Sequence, residues 1–236
     1  FAPLATPFVS LATLRVDSET GAGRWIGPAA VAGQMIPLNV MAGALHYAQS
    51  VFEGSKVFFK RGLDGIDARM FRPHRNARRM WRSALHMGMP LDKSSWGGAP
   101  MDLDGFQALY LEMVQQAVNA NLESFFGGAF SALDTASESF HWSETPPAVY
   151  VRPVLFASGP VLGVKPADHY TLAVYVTPVG KYRADLVLRL ESDHPRAIKG
   201  GTGAAKAACN YAPTLRMMKE LKENRAHPPA GSTWTQ

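Results

Sequence analysis

One lysine in this sequence stands among residues too small to shield it. The stretch is Gly200-Gly201-Thr202-Gly203-Ala204-Ala205-Lys206-Ala207-Ala208-Cys209-Asn210-Tyr211, with a tyrosine five residues after the lysine. Small neighbours let a planar ligand lie against the backbone, and an amine withdrawn from water loses its proton more easily and becomes a nucleophile. Such an amine can form a Schiff base with an aldehyde cofactor, for which pyridoxal phosphate is the obvious candidate. The same residues also fit a flexible glycine-rich loop carrying a surface lysine, and spacing alone favours that plainer reading.

A second set of residues could read an anion. In Val149–Phe156, period two places Tyr150, Arg152, Val154 and Phe156 on one face and Val149, Val151 and Leu155 on the other. An arginine beside a tyrosine amid apolar neighbours suggests an anion site, and an arginine snorkelling from a sheet edge fits as well. Arg69, Arg72, Arg75, Arg78, Arg79 and Arg82, with His74, crowd a third segment. They fit a nucleic-acid patch or a solvated arginine face with one functional member. No zinc-finger, RRM or KH signature and no spaced aromatic platform accompanies them.

The elements that must position these groups follow from pattern. Leu11–Val16 reads as a strand that turns over 17–23 and returns through Arg24-Trp25-Ile26. Pro37–Gly43 is a connector, and Phe52-Glu53-Gly54 a loop leading into a strand at Lys56–Lys60, paired after a turn with Ala68–Phe71. Pro73 opens a helix whose stripe is Ala77, Met80, Trp81, Ala84 and Leu85, closed by Gly88 and Pro90. A second helix carries Phe106, Leu109, Tyr110, Met113, Val114, Ala117 and Val118, with Asp104 as its expected N-cap. Asn121–Pro147 has no sustained period and reads as a long loop or insertion. Strands follow at Val149–Phe156 and Thr171–Thr177, then a boundary running to Asp185. A last helix starts near Asn210 and Pro213, with Leu215, Met218 and Leu221 on its apolar side.

Composition is that of a soluble globular chain, 47% apolar with a net charge of +5. No run of eighteen apolar residues occurs, and Phe1–Val16 lacks the basic start and apolar core of a signal peptide. The single cysteine, Cys209, excludes an intrachain disulfide and favours a reducing compartment. The chain begins with Phe, so an earlier presequence stays open, and both cytoplasm and mitochondrion are expected locations.

Several blocks together resemble one family. Arg196-Ala197, Gly200-Gly201-Thr202-Gly203 and Lys206…Asn210-Tyr211 look like the active-site lysine region of branched-chain amino-acid aminotransferases. Leu45-His46-Tyr47 with Phe52-Glu53-Gly54, Phe71-Arg72-Pro73 with Asn76…Arg79-Met80, and Tyr150-Val151-Arg152-Pro153 match three more blocks in family order. Leu162-Gly163-Val164 and Pro178-Val179-Gly180 add two weaker ones. The resemblance runs from about Leu45 to Leu221 and outweighs the plain-loop reading of Lys206.

The resemblance implies an α/β (α+β) chain of fold type IV, a pyridoxal-5'-phosphate enzyme, a homodimer, and small-molecule substrates, with no metal, nucleic acid or membrane. It places a small N-terminal α/β domain at 1–182, a linker at 183–188 and the start of a larger domain at 189–236. The implied reaction exchanges amino groups between leucine, isoleucine or valine and 2-oxoglutarate. Lys206 matches the Schiff-base lysine and proton shuttle, Arg79 the phosphate ligand, Tyr211 the donor to the ring hydroxyl, and Arg196 a neighbour of the cofactor. Tyr47, Phe52, Tyr150, Val164 and Tyr182 match substrate-pocket positions, and Arg152 the ligand of glutamate's side-chain carboxylate.

There are departures. Ala207-Ala208-Cys209 stands where the family more often has glycines, the 121–147 segment looks long, and a Cys-x-x-Cys pair is missing. The family's carboxylate facing the pyridine nitrogen falls beyond Gln236, so the chain reads as truncated and is expected to be inactive by itself. Other fold-type-IV enzymes (a D-amino-acid aminotransferase or an aminodeoxychorismate lyase) keep the lysine. They are expected to lack the Tyr150/Arg152 pair.

Overall fold

A computed structural model of the chain describes residues 5–33, 35–62, 65–129, 147–179 and 194–226. Its frame is a sheet of nine strands in the order β5-β4-β8-β9-β1-β2-β6-β7, with β3 also pairing β8. The strands are β1 (Phe8–Val16), β2 (Gly23–Ala32), β3 (Ser50–Phe52), β4 (Ser55–Gly62), β5 (Gly65–Met70), β6 (Ser94–Trp96), β7 (Ala99–Pro100), β8 (Ala148–Ala157) and β9 (His169–Val179). The β1–β2 turn forms where expected, because the Asp17 carboxylate accepts from the amides of Glu19 (3.0 Å) and Thr20 (2.8 Å).

β8 is the spine of the sheet. It pairs antiparallel with β9 from Ala148↔Val179 to Ala157↔Tyr170. On its other side two short strands share its length: β3 opposite Val154–Phe156 and β4 opposite Ala148–Val151. The interruption between them is Glu53-Gly54, within the loop expected from the sequence; β4 contains the strand expected at Lys56–Lys60, while β3 ends in Phe52, a residue expected in the loop. Pro153 of β8 lies at this break, and its carbonyl accepts from the Glu53 amide (2.9 Å). A proline lacks the donor that a continuous partner strand would need, so the break and the proline suit each other.

Helix α1 (Gly43–Tyr47), α2 (Pro73–His86), α3 (Leu103–Ala120) and α4 (Thr214–Ala226) complete the described elements, with short helical turns at Leu91–Lys93, Leu122–Ala129 and Ala208–Asn210. α2 begins at Pro73 and buries Ala77, Met80, Trp81 and Ala84 of the predicted stripe and Ser83 in addition, while Leu85, the fifth residue of that stripe, is only half-buried. α3 buries all seven residues of its predicted stripe. Its N-cap is Asp102 and not Asp104: Asp102 has the extended backbone a cap requires, and its carboxylate accepts from the Gly105 amide (2.8 Å). Asp104 lies inside the first turn and accepts from Gln107 (3.1 Å).

α3 packs on β1, β2 and β9, and α2 on α3 and β3, around one core that includes Phe59, Met80, Phe106, Tyr110, Leu155 and Tyr170. Two elements differ from the sequence reading. Part of the connector at Pro37–Gly43 leads into α1, too short at five residues to display a helical period. The start of the expected loop at Asn121 is helical through Ala129, because Phe125 is buried against Phe59, their ring centroids 6.1 Å apart. The rest of that loop, up to residue 146, and the expected boundary running to Asp185 from residue 180 on lie outside the described residues. No described helix is long and apolar enough to cross a membrane. Among the described residues no group of three or more His, Cys, Asp or Glu side chains is placed to hold a metal ion.

Candidate active site

The segment carrying Lys206 is pinned by its backbone on two sides. Its amide donates to the Ser83 hydroxyl of α2 (2.9 Å), its carbonyl accepts from the Phe52 amide (3.1 Å), and Ala207 bridges to Val51. The lysine is therefore laid along β3 as one more rung of strand. The loop before it is clasped by the buried Asn210, whose amide donates to the carbonyls of Thr202 (2.9 Å) and Ala205 (2.8 Å) while its Oδ1 accepts from the Thr202 hydroxyl (2.6 Å). Gly203 is needed here, since a Cβ at that position would overlap Ala197. The first glycine of the run, Gly200, has φ +81°, a conformation that L side chains rarely adopt.

Held this way, the Lys206 ammonium donates to the Tyr211 hydroxyl (3.1 Å) and lies 4.4 Å from the Phe52 ring centroid. The Phe52 and Tyr211 rings meet at 5.1 Å between centroids. The Arg196 guanidinium sits 5.9 Å from the Tyr211 ring centroid. Lys206 is half-buried, reachable by a ligand while its backbone is fixed.

On the neighbouring strand, Arg152 donates to the Tyr150 hydroxyl through Nε (3.1 Å) and Nη2 (2.8 Å) and lies 4.8 Å from the Phe52 ring centroid. Phe52 thus has two cations within stacking range, one from each side of the site's sequence. A cleft of about 320 Å³ opens here, lined by Phe52, Arg152, Tyr175, Ala208 and Tyr211 among others. The Tyr150 hydroxyl occupies the space that a Cβ at residue 54 would fill, so Gly54 is required for Tyr150 to reach Arg152.

Arg79 of α2 forms a bidentate pair with Glu53, with Nε 2.5 Å from Oε1 and Nη2 2.6 Å from Oε2. The Asn76 amide also donates to Oε2 (3.0 Å). Glu53 is fully buried, while the Arg79 side chain is 55% exposed. The hydrogen bond to Glu53 holds the Arg79 proton more firmly than usual, with burial working against it and Tyr211 among the lesser contributors. Of the arginine segment, Arg69 pairs with Asp67 (3.0 Å), and Arg72, Arg75, Arg78 and Arg82 are exposed.

The fold therefore brings together Lys206, Tyr211, Arg196, Phe52, Tyr150 and Arg152, and ties Arg79 to Glu53, the residue that follows Phe52. Tyr47 and Val164 form a separate group: the Tyr47 hydroxyl accepts from the Gly163 amide (2.8 Å), and Val164 is 90% exposed. Tyr182 lies outside the described residues. Sequence reasoning missed Ser83, Tyr175 and the burial of Glu53. Tyr175 has a readable signal afterwards, since it sits directly opposite Arg152 in the β8–β9 register.

No protein-family model matches the chain. It is 35% identical over 195 residues to a chloroplastic branched-chain-amino-acid aminotransferase 2 of Arabidopsis thaliana, covering 79% of this chain and 41% of that protein. It is 32% identical over 215 residues to branched-chain-amino-acid transaminase 1 of Bacillus subtilis, covering 88% of this chain and 51% of that one. The chain thus spans about half the length of these curated relatives. Its fold matches the branched-chain aminotransferase of Thermobaculum terrenum solved in its PLP form, with a TM-score of 0.55 at 16% identity, over 93% of this chain and 56% of that one. Sequence kinship and the shared fold agree: this chain is related to the branched-chain aminotransferases.

Proposed function

We propose that the full-length protein exchanges the amino group between branched-chain amino acids and 2-oxoglutarate, with pyridoxal 5'-phosphate held on Lys206. The observation that carries this reading is the Lys206 amine, bound to the Tyr211 hydroxyl at 3.1 Å and set against the Phe52 ring. The residues present fit the cofactor. Lys206 offers an amine for its aldehyde, Tyr211 a phenol for its ring hydroxyl, and Arg79 a guanidinium for its phosphate, with Arg196 beside Tyr211.

When bound, the cofactor supplies an electron sink for the bond broken at the substrate's Cα. Lys206 Nζ would be the group that moves the proton from the substrate's Cα. Tyr211, 3.1 Å away, limits where that amine can swing. Phe52 and Tyr175 give the cleft apolar walls, and Arg152, resting on the Tyr150 hydroxyl, supplies a charge for glutamate's side-chain carboxylate. One pocket can then accept both a leucine-like chain and an acidic one. Tyr47, Val164 and Tyr182 enter the substrate pocket by motif match alone.

A homodimer belongs to the same reading and is supported by the apolar side chains Leu45, Leu162 and Val164, all exposed beside Tyr47. After Lys206, Glu220 lies 2.8 Å from Arg216 and Glu223 lies 3.7 Å from Lys219 along α4. Both carboxylates are thus paired within their own helix.

The test is Arg152→Met in the full-length protein. A lost hydrogen bond to a charged group costs roughly 1.5–3 kcal/mol, or about tenfold or more in kcat/KM. That loss should fall on glutamate and 2-oxoglutarate and spare leucine. Equal losses for both substrate types would make Arg152 structural.

A further inference from the structure

Glu53 is a carboxylate buried where a hydrophobic side chain would cost less. It sits at the break between β3 and β4, fully buried, and its two oxygens take Nε and Nη2 of Arg79 and the amide of Asn76. Removing a carboxylate from water costs several kcal/mol before pairing returns any of it, and buried ion pairs seldom stabilise more than an apolar replacement. Fold stability therefore gives a weak account of this pair. Its geometry gives a better one.

A guanidinium has two usable edges. Glu53 occupies the Nε–Nη2 edge from inside the core. Nη1, on the other edge, has no hydrogen-bond partner among the described residues, and the side chain is 55% exposed. An unclamped arginine would sample many rotamers and lose that freedom on binding an anion. A bidentate carboxylate below it removes the freedom beforehand. We infer that Glu53 is a positioning residue, which holds Arg79 in the one orientation that turns its outer edge to the cofactor's phosphate, with Asn76 steadying the carboxylate. This rests on the reading of Arg79 given above. In this arrangement the phosphate is read by a preset donor edge, and the net charge of the pair contributes less because Glu53 offsets it.

The experiment compares affinities for pyridoxal 5'-phosphate and for pyridoxal, which lacks the phosphate, by titrating the full-length apoprotein and following its visible absorbance. Both molecules form the same bond to the lysine, so the ratio of the two affinities isolates phosphate recognition. Arg79→Met should reduce that ratio by about tenfold or more. An unchanged ratio in that variant would overturn the assignment of Arg79 itself. Given a loss there, Glu53→Gln should lower the ratio by a similar factor, and should add nothing further in the Arg79→Met background. Asn76→Ala, which keeps the ion pair, should lower it by a smaller factor, and it decides the matter if Glu53→Gln does not fold. A ratio unchanged in Glu53→Gln, or in Asn76→Ala should Glu53→Gln not fold, would overturn the positioning role and leave Arg79 in place. Glu53→Gln lowering the ratio further in the Arg79→Met background would also overturn it, since Glu53 would then act by another route.

Discussion

The hydroxyl of Ser83 on α2 accepts the backbone amide of Lys206 at 2.9 Å, across 123 positions of sequence. One helix therefore holds the lysine's backbone through Ser83 and carries Arg79 a single turn earlier. The chain can set the spacing between amine and guanidinium through the rigidity of α2 instead of through loops.

Ser83→Ala should destabilise the protein by about 1–3 kcal/mol, because it removes the acceptor of the Lys206 amide. Chemical denaturation of variant and parent measures it. A change within ~0.3 kcal/mol would mean that water replaces the hydroxyl freely.

Gly54→Ala should act on Arg152 without touching it. The new methyl overlaps the Tyr150 hydroxyl, so Tyr150 must move and release the Arg152 guanidinium. Overpacking of this kind costs about 1–3 kcal/mol. The variant should also show the substrate signature of Arg152→Met, a selective loss for acidic substrates. Selectivity equal to that of the parent would show that Tyr150 does not orient Arg152.

The alkaline limb of stability should be governed by two buried phenols. Burial pushes Tyr170 up to about 12 and raises Tyr110 as well, from an ordinary value of 10.0. A raised phenol binds its proton in the folded state at pH values where the unfolded chain has released it. Its contribution is thus complete below pH 10 and is lost as pH rises toward 12. Denaturant midpoints measured from pH 9 to 12 should fall across that window. Tyr170→Phe should flatten the fall, and an unchanged slope in that variant would contradict the assignment.

Much of this arrangement was legible from residue pattern. Pro73 and the Ala77–Met80–Trp81–Ala84 stripe marked α2, and period two on β8 put Arg152 beside Tyr150. Lys206 stood out because its neighbours are so small. What escaped was set by contacts distant in sequence. Ser83 reads as one more polar residue of an arginine-rich helix until the Lys206 segment is laid beside it. Glu53 reads as a loop carboxylate, because burial cannot be seen from an acid between Phe52 and Gly54. Asp104 reads as the cap because either aspartate fits the composition, and only the extended backbone at Asp102 separates them. The helical turn at Phe125 owes its place to packing on Phe59, and no local period announces it.

The central claim is that Lys206 carries the cofactor, and its most direct test is chemical. The full-length protein is incubated with pyridoxal 5'-phosphate, reduced with borohydride, digested and mapped by mass spectrometry. The pyridoxyl label should lie on Lys206, and Lys206→Ala should lose both the label and the visible absorbance. A label on Lys199, outside the grip of Ser83 and Asn210, would contradict the account.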